Sequence, residues 1–497
     1  MSRILHLLFA VLLATAVDAG TGAKFVAAAP AADSSRPNIV WIVVEDMSAH
    51  FGCYGETTIK TPHVDQLAAE GVLFRHAFVT APVCSAARSA LITGMYQTTI
   101  GAHQHRSGRG TVKQYLPDNV QLIPKLFQDA GYWTCNGAGI SLSEQSGRSR
   151  GRIAKTDYNF EFDETVYNGN DWENRKPGQP FFAQIQTSGG KGRTLKAPNP
   201  ISPNEVKLPP YYPNDPVIRD DWAQYLNAAM NTDLAVGRII ERLKAEGILE
   251  NTYIFFMTDH GISHARGKQF LYDEGIHIPF IVRGPKIKPG TVREDLIIHI
   301  DMAASSLDLA GIRLPEHLES KALFAEDYSP RDFVVSARDR CDETVDRIRS
   351  VRTHQYKYIR NFLPERPYLQ PNAYKDNKPI IQVMRRLHAE GKLNRDQSLI
   401  MGESRPVEEL YDLKNDPHEL HNLAGSSEHA AVLKNLRGTL DEWQNQTGDR
   451  GMKPESAETY DSDMQLYLDT MRKRQPERVA EIERNVALMK KWTAEGR

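Results

Sequence analysis

The chain has 497 residues, 40% of them hydrophobic and 25% charged, with a formal net charge of -2. That length accommodates one large domain and a smaller one. The near-neutral balance excludes a whole-protein basic field of the kind that collects nucleic acid, so an anionic ligand has to be held by a local cluster.

Residues 1–33 read as an export leader. Arg3 supplies a positive start, Ile4 to Val17 an apolar run, and small residues around Ala19 a cleavage site. The run is too short to span a bilayer comfortably, so a periplasmic or secreted protein with no membrane span is expected. That compartment permits disulfides, but Cys53, Cys84, Cys135 and Cys341 are too scattered for a disulfide framework. A Cys53–Cys135 or Cys135–Cys341 bridge remains open at this point.

Residues 34–330 alternate strand and helix signals. "RPNIVWIVVEDMS" holds a continuous β-branched run from Ile39 to Val44, as a strand buried on both faces should, and ends in Glu45–Asp46. "TPHVDQLAAEGVLFRHAF" reads as a short helix stopped near Gly71 and a strand. "NVQLIPKLFQDAGYWTC" repeats that pattern, and "PFFAQIQTS" is another strand. From Trp222 to Gly247 the spacing of Tyr225, Ala229, Leu234, Ile239, Ile240 and Leu243, mostly on one face, predicts an amphipathic helix. "NTYIFFMTDHG" and "IPFIVRGP" follow as strands. The alternation predicts a large α/β domain with a central, mostly parallel sheet flanked by helices.

Residues 331–450 change character. "RDFVVSARDR", "IRSVRTHQYKYIRN" and "EELYDLKNDPHELHNLA" suggest a short antiparallel sheet, and "SEHAAVLKNLRGTLDEWQNQ" a closing helix: a smaller C-terminal α+β domain. Residues 451–497 form a helical extension, in which Val479, Ile482, Val486 and Met489 would dock one face on the body.

Two strand ends carry acid: Glu45–Asp46, and Asp259–His260 after "YIFFMT". Ligands collect outside the carboxyl ends of strands in open α/β sheets. Oxygen-rich donors with one imidazole suit a hard divalent ion, Ca²⁺ or Mg²⁺, better than zinc. Between these pairs lies "APVCSAARSALITGM", whose helical pattern from Ala86 to Thr93 sets Cys84 at a helix N-terminus, where the dipole favours a negative group. A buried inert thiol is the plain alternative for Cys84.

C-S-A-A-R followed by S-A-L-I-T-G resembles the signature of the formylglycine-dependent sulfatases. The resemblance extends through the strand into Glu45–Asp46, "TPHVDQLAAEG", "TDLAVGRIIERL", "TDHG…K…YDEG…IP" and "ELYDLKNDPHELHNLA". It implies an alkaline-phosphatase-like fold and a maturation enzyme that oxidises Cys84 to formylglycine. The aldehyde hydrate then offers one hydroxyl to attack sulfur and a second to expel sulfate. By the same resemblance Glu45, Asp46, Asp259, His260 and residue 84 are the metal ligands, with Glu45 where the family usually has aspartate. Arg88 holds residue 84 and balances charge, and Lys268 contacts the sulfate. Lys155, in "AKTDYNF", stands in for the second sulfate-binding lysine, with Asp157 in a histidine's place. The histidine many members carry after the strand "PFFAQIQTSGGK" is absent, which leaves His103, His105, His264 and His277 as candidates for the leaving-group acid. "GAHQHRSGRG" is read as part of an anionic substrate pocket.

The expected activity is removal of sulfate, foremost O-sulfate, from a sulfated polysaccharide or oligosaccharide, the pattern being similar to bacterial heparan N-sulfatase-like enzymes. The alternatives are N-sulfoglucosamine sulfohydrolysis, phosphomonoester or phosphodiester hydrolysis, and a non-catalytic secreted glycan-binding homologue. The expected partners are the sulfated carbohydrate and the formylglycine-generating enzyme.

Overall fold

The structure, a computed structural model, describes residues 36–137 and 152–497. The leader lies outside the described residues, as does part of the segment between Gly137 and Lys155.

The large unit is built on a seven-stranded sheet in the order β3-β4-β1-β5-β6-β2-β7. Its strands are β1 (Asn38–Val44), β2 (Val72–Phe78), β3 (Trp133–Gly137), β4 (Phe181–Thr187), β5 (Thr252–Thr258), β6 (His277–Arg283) and β7 (Thr291–Ile298). All neighbours pair parallel except β6, which runs antiparallel to both β5 and β2. The sheet is thus mostly parallel, as the strand–helix alternation predicts. Every residue of β1 and β5 is buried, the two-faced burial that their unbroken apolar runs require. Trp41 fits by giving its indole N–H to Ser306 Oγ at 2.8 Å while its ring edge meets Phe182.

The helices match the sequence with one shift. Helices α1 (Pro62–Ala69), α2 (Cys84–Thr93) and α3 (Ile123–Asp129) lie at the expected places. The long helix α4 spans Pro216–Ala245, starting six residues before Trp222. Asp215 caps it by accepting from Val217 N, and Pro216 sits at the first helical position, a start signal that apolar periodicity does not register. Gly247 ends it at φ +69°.

The second sheet is antiparallel and four-stranded, ordered β11-β10-β9-β8, from β8 (Val334–Arg338), β9 (Ile348–Arg352), β10 (Tyr356–Asn361) and β11 (Glu408–Asp412). Ala337 N donates to Thr80 O at 2.8 Å and Ser336 Oγ to Val79 O at 2.6 Å. This sheet therefore docks on the segment leading into α2. The four described cysteines are all free, so neither open bridge forms. Beyond the expected terminal helix, a helix at Ala457–Arg474 packs Tyr460, Met464, Tyr467, Leu468 and Met471 against Ile482, Met489 and Trp492 of the helix Val479–Ala494.

Candidate active site

The register puts three strand ends level. Val44 pairs with both Thr258 and Thr187, so the residues that follow β1, β5 and β4 emerge side by side. Asp46 N donates to Asp259 Oδ1 at 3.0 Å, and Met47 N to His260 O at 3.1 Å. Asp46 holds φ at +51°, a conformation costly for a non-glycine residue that turns its carboxylate inward. The loop after β4 closes on this turn. A Cβ on Gly189, itself at φ +46°, would stand 2.2 Å from Glu45 O, and one on Gly190 2.1 Å from Asp46 O. Only glycines allow so close an approach.

Asp46, Asp259 and His260 form a buried trio whose ligand atoms all lie within 4.8 Å of one another. His260 Nε2 is 3.1 Å from Asp46 Oδ1 and 3.7 Å from Asp259 Oδ1. The other nitrogen, Nδ1, lies 2.8 Å from Gly261 O, which assigns it the proton and leaves Nε2 with no hydrogen-bond partner. An orphaned imidazole nitrogen beside two buried carboxylates fits a hard divalent cation. Without such an ion, burial lowers the His260 pKa but Asp259 outweighs it and raises it to about 9.

Cys84 opens α2, only 4% exposed, with its Sγ 3.9 Å from Lys268 Nζ. Lys268 Nζ also lies 3.2 Å from Asp46 Oδ1. Burial pushes the thiol up, yet Lys268 and then Lys155 bring it below its ordinary value. Asp46 is likewise pushed up by burial, and Lys268, Lys191 and His260 reverse that to hold it well below the carboxylate range. Arg88, one turn along α2, donates from Nε to Asp259 Oδ2 at 3.0 Å and from Nη1 to Gln186 Oε1 at 2.6 Å. Its Nη2 is 3.6 Å from Glu45 Oε1.

Glu45 stands outside the tight trio, its carboxylate taken by Lys155 at 3.0 Å and by Lys191. Lys155 also meets Asp157 Oδ2 at 3.4 Å, and Asp157 pairs with Arg109. Of the four acid candidates, His105 reaches the residue after Cys84: its Nδ1 is 2.5 Å from Ser85 Oγ and its Nε2 3.4 Å from Asp342 Oδ1. Burial lowers its pKa to about 4. His103 faces the Arg349–Asp449 pair, His264 stacks on Trp222 beside Asp221, and His277 Nε2 meets Arg75 O. These three are not brought to the trio. Arg106 of "GAHQHRSGRG" is tied to Asp342 at 2.9 Å with 41% of its side chain exposed.

Three participants escaped sequence reasoning. Lys191 also lies 3.6 Å from Asp46 Oδ1; Tyr374 OH donates to Asp46 Oδ2 at 3.2 Å; Gln186 orients Arg88. The double glycine before Lys191 was the one local signal, since it marks a close backbone approach.

A family model described as "Sulfatase" matches residues 37–312, and one described as "N-sulphoglucosamine sulphohydrolase, C-terminal" matches 260–378. The chain is 34% identical over 474 residues to an ulvan-active sulfatase of Formosa agariphila, covering 85% of this chain and 77% of that one. It is 26% identical over 475 residues to the N-sulphoglucosamine sulphohydrolase of Homo sapiens, covering 84% and 91%. Among solved structures, one in complex with its substrate D-glucosamine-2-N,6-O-disulfate superposes with TM-score 0.58 at 18% identity, over 84% of this chain and 100% of that one. The phosphonate monoester hydrolase of Agrobacterium radiobacter gives TM-score 0.60 at 17% identity, over 83% and 96%. Both share the fold.

Proposed function

Because this chain belongs to the sulfatase family and is a sulfuric ester hydrolase, we propose that it removes sulfate from a sulfated polysaccharide or oligosaccharide outside the cytoplasm. The observation that carries this reading is the convergence of Cys84, Lys268 and the Asp46–Asp259–His260 trio in one buried cluster at the sheet's carboxyl edge. The relative of 34% identity is named for ulvan, and a structural neighbour was solved with a disulfated glucosamine. Both names favour a carbohydrate substrate.

In this reading Asp46, Asp259 and His260 hold a divalent ion, Ca²⁺ or Mg²⁺, with Glu45 and residue 84 completing the shell. Such an ion supplies Lewis-acid stabilisation of sulfate oxygens and lowers the pKa of a bound hydroxyl. Residue 84, oxidised to formylglycine by a maturation enzyme, provides the nucleophilic hydroxyl. The rest falls to fixed side chains. Lys268 keeps its ammonium beside both residue 84 and Asp46, where a sulfate oxygen has to sit. Arg88 locks Asp259 in place and is locked in turn by Gln186. Lys155 and Lys191 neutralise Glu45 and bring positive charge toward the substrate's anion. Five cations, Arg88, Arg109, Lys155, Lys191 and Lys268, against four carboxylates, Glu45, Asp46, Asp157 and Asp259, favour an anionic substrate.

The match of residues 260–378 to the N-sulphoglucosamine sulphohydrolase C-terminal model favours N-sulfate as the second reading. Export is supported by the leader, and no helix among the described residues is long and apolar enough to cross a membrane. The test is desulfation of a panel of defined O- and N-sulfated oligosaccharides, read by mass, alongside mass spectrometry of the peptide containing residue 84. Sulfate release from a glycan with a converted residue 84 is the expected result. Release from phosphate esters alone would overturn the reading.

A further inference from the structure

Two cations near the trio are incompletely partnered: Arg193 at one guanidinium nitrogen, Lys378 at its ammonium. Arg193, just past Lys191, gives Nε to Gly190 O at 3.1 Å and pairs Nη1 with Asp221, but its Nη2 is buried with no hydrogen-bond partner. Lys378 stands at the start of the helix Pro379–Ala389. Its ammonium lies 4.8 Å over the ring of Tyr374, and Lys268 Nζ lies 5.1 Å over the same ring. The tip of that ring reaches Asp46 Oδ2 at 3.2 Å. No carboxylate among the described residues stands within ion-pair distance of Lys378. Burial, then the repulsion of Arg193, lowers its pKa to about 8, against the pull of Asp46 and Asp221.

A desolvated cation without a partner is unfavourable, and a bound anion relieves it. Resting on the sulfatase reading, we propose that Lys378 and Arg193 form a second anion subsite, which takes an additional acidic group, carboxylate or sulfate, of the sugar whose sulfate is cleaved. Tyr374 links this subsite to the cleavage cluster, its ring centroid lying 4.8 Å from Lys378 Nζ and 5.1 Å from Lys268 Nζ. The subsite thereby selects sugars in which two acidic groups are near neighbours over sugars with one isolated sulfate.

The test is calorimetric binding to the full chain carrying Cys84→Ala, with Ca²⁺ present. One arm compares glucosamine 2-N,6-O-disulfate with glucosamine 6-O-sulfate. The other compares a sulfated disaccharide containing glucuronic acid with its carboxyl-reduced form. Tighter binding of the more acidic member in the first arm identifies sulfate, and in the second carboxylate. Adding Lys378→Met is expected to remove about tenfold or more of that preference, as loss of one hydrogen bond to a charged group does. Lys378→Arg should retain it, and Lys378→Gln serves if the methionine variant melts early. A preference that Lys378→Met leaves intact, or no preference in either arm, overturns the subsite. A preference that depends on Lys378, in a mature protein that releases no sulfate from any sugar, leaves the subsite standing and removes only the catalytic reading.

Discussion

Arg88 Nε meets Asp259 Oδ2 at 3.0 Å with both side chains buried, which ties the helix carrying residue 84 to the strand end carrying the trio. Removing one member of a buried pair strands the other charge at a cost of about 3–5 kcal/mol. Arg88→Ala is therefore expected to lower the melting temperature markedly in a chelating buffer. A divalent ion at Asp259 would compensate part of the lost charge, so added Ca²⁺ should recover some of that loss. Melting curves with and without Ca²⁺ check this; an equal drop in both would argue against an ion at Asp259.

Lys268 touches Asp46 and Cys84 at once. Deleting a preorganised cation aimed at developing charge costs on the order of 10²–10³ in kcat. Lys268→Ala is expected to show that loss on an aryl sulfate while leaving Ca²⁺ affinity undiminished, because an ammonium competes with the ion for Asp46. Asp259→Asn should do the reverse and weaken Ca²⁺ first. Calorimetric titration of both variants separates the two roles.

Prolonged chelation should abolish turnover and lower the melting temperature, with recovery on adding back Ca²⁺ or Mg²⁺. An ion that binds only the folded chain stabilises it by about 2.7 kcal/mol at a hundredfold excess over its Kd. Asp46→Asn combined with Asp259→Asn should erase the response. A shift surviving in that double variant would place the ion elsewhere.

Glu343 accepts from Ala373 N at 2.6 Å and from Asn485 Nδ2 at 2.9 Å, joining the second sheet's β8–β9 loop to the terminal helix. Burial first, then Asp342, raises its pKa to about 7 from an ordinary 4.5. The folded state therefore binds a proton that the unfolded chain has released between those values. Stability from this group is greatest at low pH, falls as pH rises toward 7 with a slope of about 1.4 kcal/mol per pH unit, and is flat above it. Glu343→Gln should flatten that part of the curve in denaturant titrations between pH 5 and 8. An unchanged slope would assign the proton to another group.

The strand ends were legible because β1 and β5 are unbroken apolar runs that stop at acid, a pattern that needs no knowledge of neighbours. Lys268 and Cys84 were legible through the resemblance of their motifs to those of the sulfatase family. Lys191, Tyr374 and Lys378 were not: each owes its place to loops and helix starts whose direction is set by packing, hundreds of positions from β1 in two of the three cases. The helix Ala457–Arg474 shows apolar residues at helical spacing, but its charged flanks mask them. The shift in the start of α4 shows the reverse case, a local cap signal at Asp215–Pro216 that periodicity overlooks.

Cys84, at the first turn of α2 beside Lys268, is only 4% exposed. Under the proposed conversion to formylglycine, a thiol so little exposed in the finished fold favours modification while the segment is still extended. Chemistry on residue 84 and closure of the sheet would then be ordered in time. Protein that folds before being oxidised would, on that proposal, lack the nucleophile.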